Sequence, residues 1–389
     1  MKLRNQTHSA VVVGGSNGIG LAIAVNLMKK GYFVYILDVL PVDERFYEFQ
    51  DQYEHIYFDV REMDYEVLAR LKNDLTVKVL MVTAGIGRIA EFENLHPIEI
   101  QKTIEINTAA ISIIHAFYER IKTRESFMCG VMGSIAGLVS SPMFSVYAAT
   151  KAAICRFVES VNIELEAAGI DNRILNVSPG SIKGTKFYGR ANDLTLLAEL
   201  ADLIVGNLES KKELLIPSYD EVYKGVLERY HADAHTFGLS SYEYKKASGR
   251  MDERPRIKVG YLSGTFDLFH VGHLNLLERA KKHCDYLIVG VHKDASHKGI
   301  DTFIPFEERM RMVGCCKCVD KVVVSCSEDS DAWELWHFDR LFVGSDYKGT
   351  ERFIRYEKYF EDKGVEIVYF PYTQGTSSTQ IRAKFENKK

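Results

Sequence analysis

Two residues of the first half, Tyr147 and Lys151, have the types and the spacing of a proton-transfer pair. They stand four positions apart in a helical pattern from about Ser145 to Ala168, so both are predicted to lie on one helix face. The ammonium of Lys151 is expected to lower the pKa of the Tyr147 phenol from about 10. Such a phenol can give a proton to a carbonyl oxygen or take one from an alcohol. Taken alone, a pair of this kind is more often an exposed helix face.

The second half carries two histidines, His270 and His273, three positions apart where another helical pattern begins. They follow an apolar run, 257–262, that is typical of a buried strand, and a turn that contains Gly264. A helix start presents unpaired N–H groups and the positive end of the helix dipole. Two imidazoles at this position predict a site for a phosphate chain. The alternatives for these histidines are metal ligation and a structural cap.

A glycine-rich turn near the start of the chain predicts a dinucleotide site. The apolar run 10–13 is followed by Gly14, Gly18 and Gly20 and then by an amphipathic helix. This spacing lets the backbone turn tightly and approach a pyrophosphate at the helix N-terminus. Asp38 stands 18 residues after Gly20, where it can accept from both ribose hydroxyls and would repel a 2′-phosphate. The sequence therefore favours NAD(H) over NADP(H).

The elements that must position these residues alternate between strand and helix. Strands are predicted at 79–82, 130–132 and 173–177, and helices at 98–114, 145–168 and 219–230. Repeated β-then-α units imply a parallel, doubly wound sheet, and the pattern restarts after Arg256. The predicted fold class is therefore α/β, with two doubly wound parallel-sheet (Rossmann-like) domains at residues 1–253 and 254–389. The charged stretch 242–256 is the predicted boundary.

Together with Asn107 and Ser134, these motifs make residues 5–230 resemble a short-chain dehydrogenase/reductase. The resemblance implies a nicotinamide cofactor, with Ser134 holding the substrate oxygen and Asn107 carrying a water that links Lys151 to solvent. The residues expected to be catalytic are Asn107, Ser134, Tyr147 and Lys151. The residues expected around the cofactor are Gly14, Ser16, Asn17, Gly18, Ile19, Gly20, Asp38, Asp59, Ala84, Gly85, Pro179 and Gly180.

Some positions in the first half depart from that family or are ambiguous. Val13 stands where the family often has Thr, and Thr83 where it usually has Asn, and both family residues support the turn geometry. Asp59 matches a family residue beside the adenine, although a solvated loop carboxylate explains it nearly as well. Residues 185–205 match the variable segment that covers the substrate, so the sequence does not identify the carbonyl compound.

The second half resembles nucleotidyltransferases with an HxGH motif, and among them the glycerol-3-phosphate and phosphoethanolamine cytidylyltransferases. The resemblance covers about residues 256–386 and includes Arg309. It implies that a substrate phosphate attacks the α-phosphorus of CTP, with Mg2+ bridging the triphosphate, and that pyrophosphate leaves. His270 and His273 are the expected catalytic residues. The residues expected to bind CTP are Gly264, Thr265, Phe266, His270, His273, Lys298, Asp346, Thr376, Ser377, Ser378 and Thr379.

Composition narrows the function classes further. A net charge of −4 gives no support for a nucleic-acid-binding surface. No apolar run approaches the ~18 residues of a membrane span, and the first residues do not resemble a signal peptide, so we expect a cytoplasmic chain without membrane insertion. The seven cysteines lack disulfide spacing, and Cys315, Cys316 and Cys318 are expected to be buried thiols rather than metal ligands. No protein metal site is predicted.

Two sites on one chain suggest consecutive reactions. The preferred hypothesis is reduction of a keto- or aldo-sugar phosphate to a polyol phosphate, followed by its conversion to a CDP-polyol for surface polysaccharide or teichoic-acid-like polymers. In one alternative, the reductase acts on a CDP-linked sugar after activation. In another, the first domain is a non-catalytic oligomerisation module, against which its four catalytic-type residues argue. The expected partners are small molecules, namely the sugar or polyol phosphate and CTP, and the expected assembly is a homodimer or homotetramer.

Overall fold

The structure is a computed structural model that describes residues 8–42, 49–185, 193–248, 257–294, 301–371 and 381. The chain divides into two compact units, Met1–Glu253 and Arg254–Lys389. Each unit is built on a parallel sheet, which confirms the predicted α/β fold class. No helix among the described residues is both long enough and apolar enough to cross a membrane.

The first unit contains a seven-stranded sheet in the order β3-β2-β1-β4-β5-β6-β7, and all of its neighbouring strands are parallel. Its strands are β1 (Ser9–Val13), β2 (Phe33–Asp38), β3 (Tyr53–Tyr57), β4 (Val77–Val82), β5 (Met128–Met132), β6 (Ile174–Val177) and β7 (Leu214–Leu215). Its helices are α1 (Gly18–Lys29), α2 (Tyr65–Asn73), α3 (Pro97–Ala116), α4 (Tyr118–Ile121), α5 (Ser145–Ala167), α6 (Ala198–Glu209), α7 (Lys224–Ala232) and α8 (Ala234–Ala247).

Apolar side chains bury both faces of this sheet. Val11 and Val13 of β1 pack into one layer with residues of α3 and α5, whereas Ala10 and Val12 pack into the other with residues of α1 and α6. Successive side chains of a strand point to opposite faces, so a strand covered on both sides must be apolar throughout. The continuous run Ala10 to Val13 is therefore the sequence signature of this central strand.

The second unit contains a five-stranded parallel sheet in the order β10-β9-β8-β11-β12. Its strands are β8 (Val259–Gly264), β9 (Tyr286–Val291), β10 (Lys321–Val324), β11 (Arg340–Gly344) and β12 (Glu366–Phe370). Its helices are α9 (Val271–Lys281), α10 (Phe306–Gly314), α11 (Asp329–Trp336) and α12 (Glu351–Glu361). In both units the sheet order reverses beside the first strand of the unit, where open α/β sheets bind ligands at the carboxyl ends of the strands.

Helix α8 occupies the first part of the stretch 242–256, in which the domain boundary was predicted. Residues 242–247 continue helix α8, whose N-cap is Asp233, and they contact the first unit. Their charges had suggested a linker, but they belong to a mostly exposed helix. The helix predicted at 219–230 is also divided, into a π-helical segment, Tyr219–Tyr223, and α7.

The prediction of three buried thiols after α10 is only partly right. Cys315 is exposed, and Cys316 and Cys318 are half-buried, because α10 ends at Gly314 and these residues follow it in a turn. Burial raises the pKa of the Cys316 and Cys318 thiols. Among the described residues, no group of three or more His, Cys, Asp and Glu side chains is arranged to hold a metal ion.

Candidate active sites

The glycine turn of the first unit lies where the sheet order reverses, between β1 and β4. A Cβ atom on Gly14, whose φ is +81°, would lie 2.5 Å from the amide nitrogen of Ala84. A Cβ atom on Gly20 would lie 2.2 Å from the carbonyl oxygen of Gly14. Only glycine fits at these two positions, as a pyrophosphate-binding turn at the N-terminus of α1 requires. The predicted residues between them, Ser16 to Ile19, form the turn and the first residues of α1.

Thr83 stabilises this turn although it departs from the family pattern. Its hydroxyl lies 3.0 Å from the carbonyl oxygens of both Val13 and Gly14 and can donate to either. The backbone amides of Thr83 and Ala84 also donate to the carbonyl of Val13. The loops after β1 and β4 are therefore bonded to each other without the family's asparagine.

Asp38, the last residue of β2, lies beside the turn. Its Oδ2 accepts from the amide of Ser16 and its Oδ1 from the amide of Leu40, each at 3.0 Å. Both carboxylate oxygens are thus held in place by the backbone and keep lone pairs for further donors such as ribose hydroxyls. The arrangement fits the adenosine end of a nicotinamide cofactor.

Asp59 is engaged differently from Asp38. Its carboxylate accepts several hydrogen bonds from the Arg61 guanidinium and one from the Arg61 amide. Burial raises the pKa of Asp59, but the hydrogen bonds and charge of Arg61 outweigh this effect and hold the pKa below its ordinary value. The side chain therefore already has a cationic partner, and its predicted place beside the adenine stays a prediction.

Three of the four predicted catalytic residues of the first unit lie close together, namely Ser134, Tyr147 and Lys151. The phenol of Tyr147 is hydrogen-bonded with Ser134, and the Nζ atom of Lys151 lies 5.5 Å from the centre of the Tyr147 ring. Lys151 donates to the carbonyl oxygen of Met132 at 2.7 Å. Helix α5 places Tyr147 and Lys151 on one face, as their spacing predicted.

The expected effect of Lys151 on the Tyr147 phenol is wrong for this structure. Burial raises the pKa of Tyr147 to about 12, and the hydrogen bond with Ser134 opposes this rise only in part. Burial also lowers the pKa of Lys151 to about 8. Sequence spacing predicts the separation of the two groups along a helix, but it does not report how completely both are removed from water.

Asn107 is buried in α3 and binds the loop after β4. Its Oδ1 accepts from the amide of Ile86 at 2.8 Å, and its Nδ2 donates to the carbonyl of Ile86 and to the hydroxyl of Thr150. A Cβ atom on Gly85 would lie 3.3 Å from both Asn107 Oδ1 and Lys151 Nζ. Asn107 is thus close to Lys151, and its visible role is to hold the backbone of Ile86.

The loop after β6 completes this site. The carbonyl oxygen of Pro179 accepts from the amide of Ile135 at 3.0 Å and from the hydroxyl of Ser134 at 3.4 Å. A Cβ atom on Gly180 would lie 1.5 Å from the hydroxyl of Tyr223, so the tyrosine packs directly on this glycine. Sequence reasoning missed Tyr223, since nothing local links positions 180 and 223.

Phe144 is a second residue that sequence reasoning missed. Its ring stacks on the ring of Tyr147 with centroids 4.1 Å apart. A Cβ atom on Gly87 would lie 2.6 Å from Tyr147 and 2.8 Å from Phe144, so the loop after β4 presses on both rings. The available signal was an aromatic residue three positions before the tyrosine, in the loop that leads into α5.

In the second unit, the turn between β8 and α9 has an unusual backbone. Phe266 and Leu268 have φ angles of 54° and 50°, in the left-handed region that disfavours large side chains. Between them, the buried carboxylate of Asp267 accepts hydrogen bonds from the amides of Phe303 and Ile304. These bonds hold the turn in a conformation that its own residues do not favour.

Arg309 is hydrogen-bonded to the backbone of the same turn. Its side chain is fully buried, and it donates to the carbonyl oxygens of Thr265, His292, Lys293 and Ile304. The resemblance in sequence included Arg309 without assigning it a role. In the structure the guanidinium donates its hydrogen bonds to backbone carbonyl oxygens, so Arg309 is a positioning residue for the turn.

The two histidines lie at the first turn of α9. His270 is the N-cap, and its Nδ1 accepts from the amide of Gly272 at 3.0 Å. The amide of His270 donates to Nδ1 of His273 at 3.3 Å. The histidines therefore form a reciprocal capping box, which was one of the alternatives for them. Capping uses only Nδ1 of each ring.

The other predicted CTP-binding residues have different positions. The buried hydroxyl oxygen of Thr265 has no hydrogen-bond partner among the described residues, which suits contact with a ligand. The ring of Phe266 is buried in the core, so only its backbone is suited to contact a nucleotide. Asp346 is exposed in the turn after β11, and Gly264 ends β8. Lys298, Thr376, Ser377, Ser378 and Thr379 lie outside the described residues.

The chain resembles two known families and several relatives. The sequence model of the short chain dehydrogenase family matches residues 8–194, and that of the cytidylyltransferase-like family matches residues 261–384. The chain is 34% identical over 123 residues to the glycerol-3-phosphate cytidylyltransferase of Bacillus spizizenii, which covers 31% of this chain and 90% of that protein.

A further match is the bifunctional protein HldE of Hyphomonas neptunium, with 33% identity over 138 residues. It covers 34% of this chain and 28% of that protein, so the chain spans less than a third of that relative's length. A solved structure described as a short-chain dehydrogenase, from Novosphingobium aromaticivorans, superposes with a TM-score of 0.50 and 17% identity. It covers 64% of this chain and 96% of that chain and supports the fold alone.

Proposed function

Because the chain belongs to the short-chain dehydrogenases through its first unit and to the cytidylyltransferases through its second, we propose that it catalyses two consecutive steps. The first is reduction of a keto- or aldo-sugar phosphate to a polyol phosphate. The second is transfer of CMP from CTP to that polyol phosphate, which yields a CDP-polyol and pyrophosphate. The product would serve as a donor for surface polysaccharide or teichoic-acid-like polymers.

The geometry around Tyr147 supports reduction in the first unit. The phenol stays protonated at neutral pH, because burial raises its pKa to about 12, and a protonated phenol is what a carbonyl oxygen requires. Ser134, which is hydrogen-bonded with the phenol, binds the same oxygen. A nicotinamide cofactor whose pyrophosphate lies at the Gly14 turn would supply the hydride. The held carboxylate of Asp38 supports NADH over NADPH.

The turn between β8 and α9 supports CMP transfer in the second unit. Phosphoryl-type transfer depends mainly on positioning and on the neutralisation of developing charge. His270 and His273 present imidazoles at the N-terminus of α9, and Thr265 adds a hydroxyl without a described partner. Mg2+ would accompany the triphosphate of CTP rather than a protein cluster. The relative from Bacillus spizizenii, named for glycerol 3-phosphate, supports a small polyol phosphate as the acceptor.

One observation carries the proposal of linked reactions: a reductase site and a transferase site on the same chain, the second resembling enzymes for a phosphorylated polyol. The relative from Hyphomonas neptunium is also named as bifunctional. A non-catalytic first unit is disfavoured, because Ser134, Tyr147 and Lys151 are assembled around one phenol. A homo-oligomer stays a prediction.

The proposal is tested with purified protein, NADH, CTP and Mg2+, and a panel of ketose and aldose phosphates. Pyrophosphate release is expected only when NADH and a matching sugar phosphate are both present, or when the corresponding polyol phosphate is supplied directly. A parallel series with ATP in place of CTP tests nucleotide choice. Pyrophosphate release from the unreduced sugar phosphate, followed by NADH oxidation, would reverse the order. Release that never depends on the reduced product would defeat the coupling.

A further inference from the structure

Helix α8 contacts two loops that surround Tyr147. Near its C-terminal end, the Nζ atom of Lys245 donates to the hydroxyl of Ser141 at 2.6 Å and to the carbonyl of Pro142 at 2.8 Å. One turn earlier, the hydroxyl of Tyr242 donates to the carboxylate of Glu91 at 2.7 Å. Ser141 and Pro142 precede α5, and Glu91 follows β4. The helix is therefore fixed to both loops.

The loop bound by Lys245 leads directly to Tyr147. The amide of Phe144 donates to the carbonyl of Ser141, and the Phe144 ring stacks on the Tyr147 ring with centroids 4.1 Å apart. The amide of Ala90 donates to the carbonyl of Met143, which joins the two loops. Lys245 is therefore placed beside the loops that form a wall of the reductase site.

The ammonium of Lys245 has no carboxylate partner among the described residues. Both of its hydrogen-bond acceptors are neutral, and burial alone lowers its pKa to about 8. Arg88, on the other loop, differs, because its guanidinium is paired with the buried carboxylate of Glu99 at 3.0 Å. Lys245 is half-buried, and a partly desolvated cation without an anionic partner is stabilised when a ligand supplies the charge.

Lys245 also retains donor capacity. An ammonium has three N–H groups, and the structure uses two of them. Ser141 accepts from Lys245, so the hydrogen of its own hydroxyl can be donated elsewhere. Three carboxylates lie near Tyr242 on this face, those of Glu91, Glu93 and Glu243, and that of Glu91 accepts the Tyr242 hydroxyl. One N–H group and one hydroxyl hydrogen are thus available side by side.

We propose that Lys245 and Ser141 bind the phosphate group of the reductase substrate, and so select phosphorylated over free carbonyl sugars. This assignment rests on the proposed function, in which the first unit reduces a sugar phosphate. The bound phosphate provides the negative charge that Lys245 lacks. The reacting carbonyl then lies toward Tyr147, at the other end of the small substrate. Lys245 contributes to substrate binding and not to the proton transfer itself.

The kinetic test compares phosphorylated and free ketoses in matched pairs of three to six carbons, for example ribulose 5-phosphate and ribulose, with NADH. Lys245→Met is expected to lower kcat/KM for the phosphorylated ketose by about 10- to 100-fold, mainly through KM, and to leave the free ketose unchanged. Lys245→Arg should restore much of the loss. Lys246→Met, which changes the exposed neighbour, is the control and should behave like the original protein. Equal losses with both ketoses would show that Lys245 only supports the loop, which would overturn the proposal.

A second measurement does not depend on turnover. Acetic anhydride modifies neutral amines, and a lysine with a pKa of about 8 reacts readily at pH 8. Inorganic phosphate and ribulose 5-phosphate are each expected to slow the acetylation of Lys245, followed by mass spectrometry, and to leave Lys246 unaffected. An unchanged rate at Lys245 with both compounds would contradict the proposal.

The outcomes for Lys245 and for the coupled reaction are separable. If the reduced product is not an acceptor for CMP, the coupled function fails, but the preference for the phosphorylated ketose and its loss in Lys245→Met remain. If CMP transfer follows reduction but Lys245→Met has the same kcat/KM as the original protein for both ketoses, only the Lys245 assignment fails.

Discussion

The rings of His270 and His273 stack on each other, with centroids 4.1 Å apart and planes inclined by 28°. In both rings Nδ1 accepts a hydrogen bond from a backbone amide, so in the neutral form the proton is on Nε2. Burial lowers the pKa of His270, which favours its neutral form. The pair therefore presents two Nε2–H donors, while both Nδ1 atoms cap α9.

Replacing His270 by asparagine should separate these two roles. Asparagine is a good N-cap and can accept the Gly272 amide, but it does not reproduce the Nε2–H donor. His270→Asn is expected to lower kcat for pyrophosphate release by roughly 10²- to 10³-fold. The stability of the second unit should change by less than about 1 kcal/mol. Fluorescence of Trp333 and Trp336, the two tryptophans of the chain, reports the unfolding of this unit alone.

A loss of activity matched by a large loss of stability would show that His270 serves mainly as a cap. NADH oxidation by the first unit is the internal control and should be unchanged, because His270 belongs to the second unit.

Tyr147→Phe should abolish most of the reduction and spare the transfer. Removing the phenol hydroxyl removes the proton donor and the hydrogen bond with Ser134, so NADH oxidation is expected to fall by roughly 10²- to 10⁴-fold. Pyrophosphate release from CTP and a polyol phosphate should stay at its original rate. Tyr65→Phe, at an exposed tyrosine, is the matched control. Full NADH oxidation in Tyr147→Phe would place the proton donor elsewhere.

The buried Lys151 should give the first unit a distinct pH dependence of stability. Burial lowers its pKa from 10.5 in the unfolded chain to about 8 in the folded one. Between these values the unfolded state binds more protons, so the free energy of unfolding rises with pH, by at most about 1.4 kcal/mol per pH unit. Below the folded pKa both states are protonated and this contribution is constant.

Lys151→Met lacks this titration. The melting temperature of the original protein, relative to that of the variant, should therefore rise as the pH increases from 8 to 10.5. Calorimetry measures this melting temperature in the unfolding transition of the first unit, because tryptophan fluorescence reports only on the second unit. Parallel melting curves across that range would mean that Lys151 keeps an ordinary pKa.

Asp38→Asn should weaken the discrimination against NADPH. The variant removes the negative charge that would face a 2′-phosphate while keeping a similar shape, so the ratio of kcat/KM for NADPH to that for NADH should rise roughly tenfold. Asp59→Asn is the matched control, because its carboxylate is already paired with Arg61 and the ratio should change little. An unchanged ratio in Asp38→Asn would remove the basis for an NADH preference.

Arg309→Lys should destabilise the second unit. Lysine lacks the planar group that reaches four carbonyl oxygens, and several of them would be left buried without a donor. The expected loss is roughly 2–4 kcal/mol in the free energy of unfolding, measured by urea titration of tryptophan fluorescence. Arg311→Lys, at an exposed position on the same helix, should have little effect. Comparable midpoints for the two variants would contradict the structural role.

The sequence predicted those elements whose signal is local. The strands predicted at 79–82 and 173–177 correspond to the buried strands β4 and β6, since buried parallel strands are nearly continuous apolar runs. Strands β3 and β7 were missed, because an edge strand is only partly buried and shows no such run.

Features of the sites that depend on distant contacts were not predictable. Lys245 meets Ser141 across 104 positions of sequence, and Arg309 reaches Thr265 across 44. The pKa of Tyr147 likewise depends on burial by residues from several loops, whereas its spacing to Lys151 is a local property. Periodicity and motif spacing contain no information about these distant contacts or about the burial of Tyr147.

The hydroxyl of Thr83 has a consequence for how the dinucleotide loop is compared and transplanted. A column-by-column alignment scores Val13 and Thr83 as two independent losses. In the structure the two positions are linked, because the side chain of Thr83, just after β4, binds the carbonyl oxygens of both Val13 and Gly14. The turn after β1 and the turn after β4 therefore form one hydrogen-bonded unit. Chimeric reductases built from this chain should exchange both turns together.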